Sequence, residues 1–182
     1  MGRPKLLLPW GKTSVIGHLV QQWRGVGATQ IAIVRAADDA KLSETCGELP
    51  CIINPAPERG MFSSIQCAAE WPKWNPSLKH WVIALGDQPH LREGTLQQLV
   101  AIATQHPNDI CQPASSGRAR HPVVLPKSAF ERIPTTTAAD LKAFLASAAE
   151  HRRMIEIDDP GLDLDIDTPE DYERAKKLAQ ID

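Results

Sequence analysis

A chain of 182 residues carries 20 Lys and Arg against 22 Asp and Glu, a net charge of −2, with 42% hydrophobic and 23% charged residues. This balance excludes the basic excess of a nucleic-acid platform, and no stretch approaches the ~18 uninterrupted apolar residues of a membrane span. The length predicts one compact domain over residues 1–182. The amino end, Met1-Gly2-Arg3-Pro4-Lys5, lacks the apolar centre of a secretion signal. The expectation is a cytoplasmic protein with neither membrane nor nucleic acid as partner. Cys46, Cys51, Cys67 and Cys111 form no CxxC pair and have no His at zinc-ligand spacing, so they read as free, mostly buried thiols.

Strand and helix patterns alternate. Val15, Ile16, Leu19, Val20 and Trp23 repeat at helical spacing over residues 13–23, with Gly25 and Gly27 as the stop. Residues 31–34 read as a short buried strand, 38–46 as a helix, and 51–53 as a strand running into Asn54-Pro55. Residues 63–71 are helical and closed by Pro72, and 81–85 form the clearest strand, ending at Gly86-Asp87. Leu96, Leu99, Val100 and Ala103 mark the next helix, followed by strands at 110–111 and 123–125. Leu141, Phe144, Leu145 and Ala148 mark another helix, 154–157 a last strand, and Thr168-Pro169-Glu170-Asp171 a helix start. The order predicts an α/β fold with a mostly parallel sheet covered by helices on both faces.

Gly11-Lys12-Thr13 resembles the end of a phosphate loop, but Leu6 stands where that loop needs a glycine, so a turn leading into the first helix is the better reading. Gly86-Asp87-Gln88-Pro89 follows the best strand, where open α/β sheets bind ligands. An aspartate there is either a cap or a ligand for Mg2+, which takes one or two carboxylates and leaves the rest to water and phosphate. Asp163, Asp165 and Asp167 alternate along an extended segment, which calls for water or a cation on that side. Arg3 and Lys5 are either solvated or placed to neutralise a triphosphate. The polar loop from Asn54 to Ser63 and Ser64 enters a helix N-terminus and suits a base, an anion or a simple cap.

Taken in order over essentially the whole chain, residues 1–9, 54–64, 86–89, His121-Pro122 and 165–171 resemble the molybdenum cofactor cytidylyltransferases of the MobA-like NTP transferases. The resemblance implies a Rossmann-like nucleotidyltransferase fold that uses Mg2+ and moves CMP from CTP onto a molybdopterin-type acceptor, releasing pyrophosphate. It further implies that Lys5 contacts the triphosphate, with Arg3 beside it, and that Asp87 and Asp167 are the metal ligands and, with Lys5, the catalytic residues. Asn54, Ser63 and Ser64 fall near the nucleotide, and Gln88, Pro89 and His121 towards the acceptor. A molybdoenzyme or its chaperone is the implied recipient of the product.

Two departures from the family pattern stand out. Members begin with a strand and a Leu-Ala-Ala-Gly-x-Ser-x-Arg loop that holds the phosphates, and Met1 falls just after that point. The expectation is an N-terminally shortened chain without a central strand and with no spare segment to replace it. Arg120 also stands where a glycine usually precedes His-Pro. Two alternatives accompany the main reading: a guanylyltransferase of the same superfamily, and a non-catalytic nucleotide-binding relic.

Overall fold

The computed structural model describes residues 4–39, 42 and 47–181. Arg3, Cys46 and most of the helix expected at 38–46 lie outside the described residues.

The chain opens with a single 3-10 turn, Lys5–Leu7, and a two-stranded hairpin of β1 (Pro9–Trp10) and β2 (Thr13–Ser14). Its two-residue loop is Gly11-Lys12, and Gly11 has φ +55°, a conformation that glycine adopts without steric cost. Gly11-Lys12-Thr13 is therefore a hairpin turn. Ser14 caps α1 (Val15–Gly25) by accepting from Gly17 N–H at 3.2 Å, and the five apolar positions singled out by spacing are its buried face.

Next come β3 (Ile33–Ala36), β4 (Cys51–Asn54), α2 (Met61–Glu70), β5 (His80–Ile83) and α3 (Glu93–Gln105). They are followed by β6 (Ile110–Ser115), β7 (Arg118–Ala119), β8 (Val123–Pro126), α4 (Lys127–Phe130), α5 (Leu141–Ala146), β9 (Arg152–Glu156) and α6 (Pro169–Leu178). Pairing corrects the expectation of a mostly parallel sheet: β3–β4 and β6–β9 are parallel, whereas β5–β8, β8–β6 and β6–β7 are antiparallel. The reason is the short return after β6. The Ser116-Gly117 turn sends β7 and then β8 straight back along β6, and a hairpin return pairs only antiparallel.

The larger sheet packs its main core against α2, α4 and α5, where Trp81 stacks on Phe130 with ring centroids 4.5 Å apart. A second core joins Trp10, Leu19 and Ile33 to Ile166 and Ala175, which anchors the segment before α6 beneath the amino-terminal hairpin. Among the described residues β3 pairs only with β4, and β5 only with β8. The two sheets thus meet across an apolar slot instead of a shared strand.

Candidate functional site

The site forms where β5 ends. Beyond Ile83 the chain runs through Gly86 into Asp87, and Leu6 from the 3-10 turn lies against it. A Cβ on Gly86 would come within 2.6 Å of Leu6 Cδ2, so the glycine leaves room for the Leu6 side chain to lie against the strand end. That approach carries Lys5 between two carboxylates, with its Nζ 2.7 Å from Asp167 Oδ1 and 3.6 Å from Asp87 Oδ2. Asp167 sits just ahead of α6, whose start is fixed by a capping box between Thr168 and Asp171.

The alternating aspartates have three different fates. Asp163 accepts from Ser115 Oγ at 2.5 Å and pairs with Arg120, and these two contacts hold its carboxyl below the ordinary range. Asp165 Oδ1 accepts from Gln88 Nε2 at 2.9 Å. Asp167 meets Lys5. Arg120, the departure from the family pattern, is thereby committed to Asp163, away from the other two carboxylates.

Electrostatically the site is anionic and only partly wet. Burial, then the neighbouring charge of Asp165, pushes the Asp87 carboxyl above its ordinary value, with Lys5 opposing. Lys5 is held above its own ordinary value, first by its hydrogen bond to Asp167. Asp87 Oδ1 is buried with no hydrogen-bond partner. A buried carboxylate oxygen without a donor is costly unless a cation faces it, and that observation fits a divalent metal at Asp87 with Asp167 beside it. Among the described residues no group of three or more His, Cys, Asp or Glu side chains is placed to hold an ion by itself. An ion here takes its remaining ligands from water and substrate, as Mg2+ characteristically does.

Two groups of residues assigned by resemblance are engaged in hydrogen bonds within the fold. Gln88 is 4% exposed and Pro89 is buried, and Gln88 fastens Asp165 through the bond given above. Asn54 is 1% exposed and spends both amide hydrogens on Ser63 Oγ (2.8 Å) and Ser64 Oγ (3.0 Å), while its oxygen accepts from Ala56 N–H at 2.9 Å. Asn54 and Ser63 therefore knit the loop between β4 and α2, and Ser64 lines the cavity shared with Leu6 and Gly86. His121 lies largely buried with Nδ1 3.5 Å from the Ile83 carbonyl, and burial keeps its imidazole neutral-leaning.

The sequence reading missed the fasteners behind the site. Asp159, 3% exposed, accepts from Arg92 N–H (3.0 Å), Thr95 Oγ1 (2.6 Å) and Gly161 N–H (2.9 Å), tying the chain after β9 to the start of α3. The signal was the Asp-Pro-Gly at 159–161, which reads only as a turn without its distant partners.

The profile of the MobA-like NTP transferase domain matches residues 1–154. The chain belongs to this family. A curated relative, phosphoenolpyruvate guanylyltransferase 2 of Rhodococcus jostii (strain RHA1), is 27% identical over 153 residues, which are 81% of this chain and 64% of the relative. The chain thus spans less than two thirds of that relative's length. Rv0371c of Mycobacterium tuberculosis H37Rv superposes with a TM-score of 0.77 at 21% identity, covering 99% of this chain and 90% of that one. The same protein in complex with manganese superposes at 0.71, with 22% identity over 97% and 93% of the two chains. Molybdopterin-guanine dinucleotide biosynthesis protein A of Archaeoglobus fulgidus gives 0.67 at 16% identity over 98% and 92%. These likenesses show the Rossmann-like nucleotidyltransferase fold. No described helix of this MobA-like domain is long and apolar enough to cross a membrane.

Proposed function

We propose that this MobA-like domain is a metal-dependent nucleotidyltransferase, which moves a nucleoside monophosphate from a triphosphate to a phosphate-bearing acceptor and releases pyrophosphate. The observation that carries this reading is the meeting of Lys5, Asp87 and Asp167 at one strand end from three separate parts of the chain. In such a transfer an acceptor oxygen bonds to the α-phosphorus as the bond to the β-phosphate oxygen breaks, and positioning with charge neutralisation does most of the work. Asp87 and Asp167 would hold a divalent cation, which would supply charge neutralisation for the triphosphate. Lys5 exchanges its carboxylate contacts for the β- and γ-phosphates and balances the charge of the leaving pyrophosphate. The largely buried, uncharged His121 faces the acceptor side as a hydrogen-bonding group.

The finer reading is CTP as donor, Mg2+ as metal and a molybdopterin-type phosphate as acceptor, passed on to a molybdoenzyme or its chaperone. It rests on the resemblance of residues 86–89 and 3–5 to the cytidylyl branch. A guanylyl reading has its own support in the guanylyltransferase relative. Equilibrium binding of CTP, GTP, ATP and UTP with and without Mg2+, followed by pyrophosphate release with molybdopterin or phosphoenolpyruvate as acceptor, separates the two. The expected order places CTP first, dependent on metal and on Asp87. A GTP preference moves the domain to the guanylyl branch, and metal-independent binding insensitive to Asp87→Asn overturns the catalytic reading.

A further inference from the structure

Lys5 and Arg120 bind opposite ends of the carboxylate row, at Asp167 and Asp163. The guanidinium of Arg120 carries five N–H donors in one rigid plane. Its Nε–H donates to Asp163 Oδ1 at 2.7 Å, and one Nη2–H goes to the same oxygen. One Nη1–H donates to the Ala119 carbonyl at 3.2 Å. Three donors are thus spent, and no bond to another described residue takes the other two. One of these is on Nη1 and one on Nη2, and they leave the outer edge of the plane side by side. Such a pair is the fork that a carboxylate or phosphate meets with two oxygens.

The fork is firmly mounted. Arg120 N–H donates to the Pro113 carbonyl at 2.8 Å, and the Arg120 carbonyl accepts from Gln112 Nε2 at 3.1 Å. Asp163 is itself held on its other oxygen by Ser115 Oγ at 2.5 Å. A partly exposed ion pair adds little stability of its own; what Asp163 supplies is a fixed orientation for the guanidinium plane. The Arg120 side chain is 26% exposed, so an anion from solvent can reach it. Its neighbours tie it to the site. His121 follows directly, and its ring feels the charges of Asp165 and Asp87. The Cα atoms of Asp163 and Asp165 lie at most about 7 Å apart, and Asp165 is bonded to Gln88 beside Asp87. Arg118, exposed on the same hairpin, adds positive charge near Asp163.

We propose that Arg120 is a specificity residue, whose Nη1–Nη2 edge binds a second oxyanion (carboxylate or phosphate) carried by a short acceptor a few bonds from its reacting phosphate. The inference rests on the nucleotidyl-transfer reading for the reacting phosphate and on the bonding of Arg120 for the second anion. Calorimetric titration of the full chain in Mg2+ compares three probes. 3-Phosphoglycerate adds a carboxylate to the phosphate, propane-1,3-diol bisphosphate adds a phosphate, and glycerol 3-phosphate adds neither. The wild type is expected to bind one of the first two about tenfold or more tighter than the third, and the better of the two identifies the oxyanion. Arg120→Gln removes that preference, and Arg120→Lys, a point charge without the fork, does not restore it. A purely structural Arg120 would lower the Tm and leave the ratio of affinities as it was. In the wild type the Arg120 Nε–H resonance shifts with the preferred probe and not with glycerol 3-phosphate, a readout that needs no variant to fold. Equal affinity for all three probes overturns the proposal, as does a preference that survives Arg120→Gln or returns in full with Arg120→Lys. Pyrophosphate release is scored separately. Its absence with every nucleotide and acceptor overturns the nucleotidyl-transfer reading, whereas release by a chain without the oxyanion preference overturns this proposal alone.

Discussion

The Ile166 N–H donates to the Asp87 carbonyl oxygen at 3.2 Å. This one bond clamps the loop after β5 to the segment before α6, with Ile166 buried in the second core while its neighbours Asp165 and Asp167 are turned towards Asp87. Alternation along an extended segment does the rest, since a buried Ile fixes both flanking carboxylates on the opposite side. The clamp is what makes two carboxylates of one site out of distant stretches of sequence.

Asp87→Asn keeps the shape and removes the anion. The expected loss of turnover is roughly 100-fold or more, with metal-dependent nucleotide binding abolished. Stability moves the other way. Burial raises the Asp87 carboxyl above its unfolded value, so between the two values the folded state binds more protons and stability falls as pH rises through that interval. In chelator at neutral pH the variant therefore unfolds at the same or a higher temperature than wild type. A lower Tm in chelator would show that the charge is structurally favourable and contradict the assignment.

Lys5→Met is expected to raise the KM for the triphosphate more than it lowers kcat. Its amine is held above the ordinary 10.5 by Asp167. A raised amine contributes stability in full below its unfolded value and loses it only above the folded one. Lys5 thus adds no pH dependence to stability between pH 6 and 9, a window that ends about one unit or more below the ordinary lysine value. Thermal scans of wild type and variant across that window run parallel; convergence within it contradicts the pairing.

Gln88 discriminates positioning from acceptor contact. Gln88→Met retains the buried volume and removes the bond to Asp165. Steady-state kinetics are expected to show kcat reduced with the acceptor KM unchanged. A raised acceptor KM at constant kcat restores Gln88 to the acceptor site.

Asp159→Ala strips the partner from Thr95 and from the N–H groups of Arg92 and Gly161. The expected cost is about 3 kcal/mol, or roughly 6–12 °C in Tm for a domain this size. Differential scanning calorimetry checks it, and a shift under about 2 °C would mean that water replaces the carboxylate without loss.

Elements with strong periodicity were legible from the sequence, and their limits show what was not. The apolar run at residues 81–85 predicted the strand, yet pairing stops at Ile83 because Pro122 follows its partner Val123 across the ladder. Ala84 and Leu85 are apolar because they line the slot. Similarly, β3 is shifted two residues later than its hydrophobic run, since β4 begins only at Cys51 and its polar end pairs with Arg35 and Ala36. In the site, Asp87 was legible as a carboxylate at a strand end. Its junction with Lys5 and Asp167 was not derivable from spacing, because 162 residues separate Lys5 from Asp167. Gln88 was placed towards the acceptor by resemblance alone, and its bond to Asp165 was not legible because 77 residues separate the two.

The central claim is a metal-dependent triphosphate site built on Asp87. Electron paramagnetic resonance of Mn2+ titrated into the chain with excess CTP tests it most directly. The account predicts one bound ion per chain in the presence of nucleotide, lost in Asp87→Asn and weakened in Asp167→Asn. Equal Mn2+ occupancy in wild type and Asp87→Asn would contradict it.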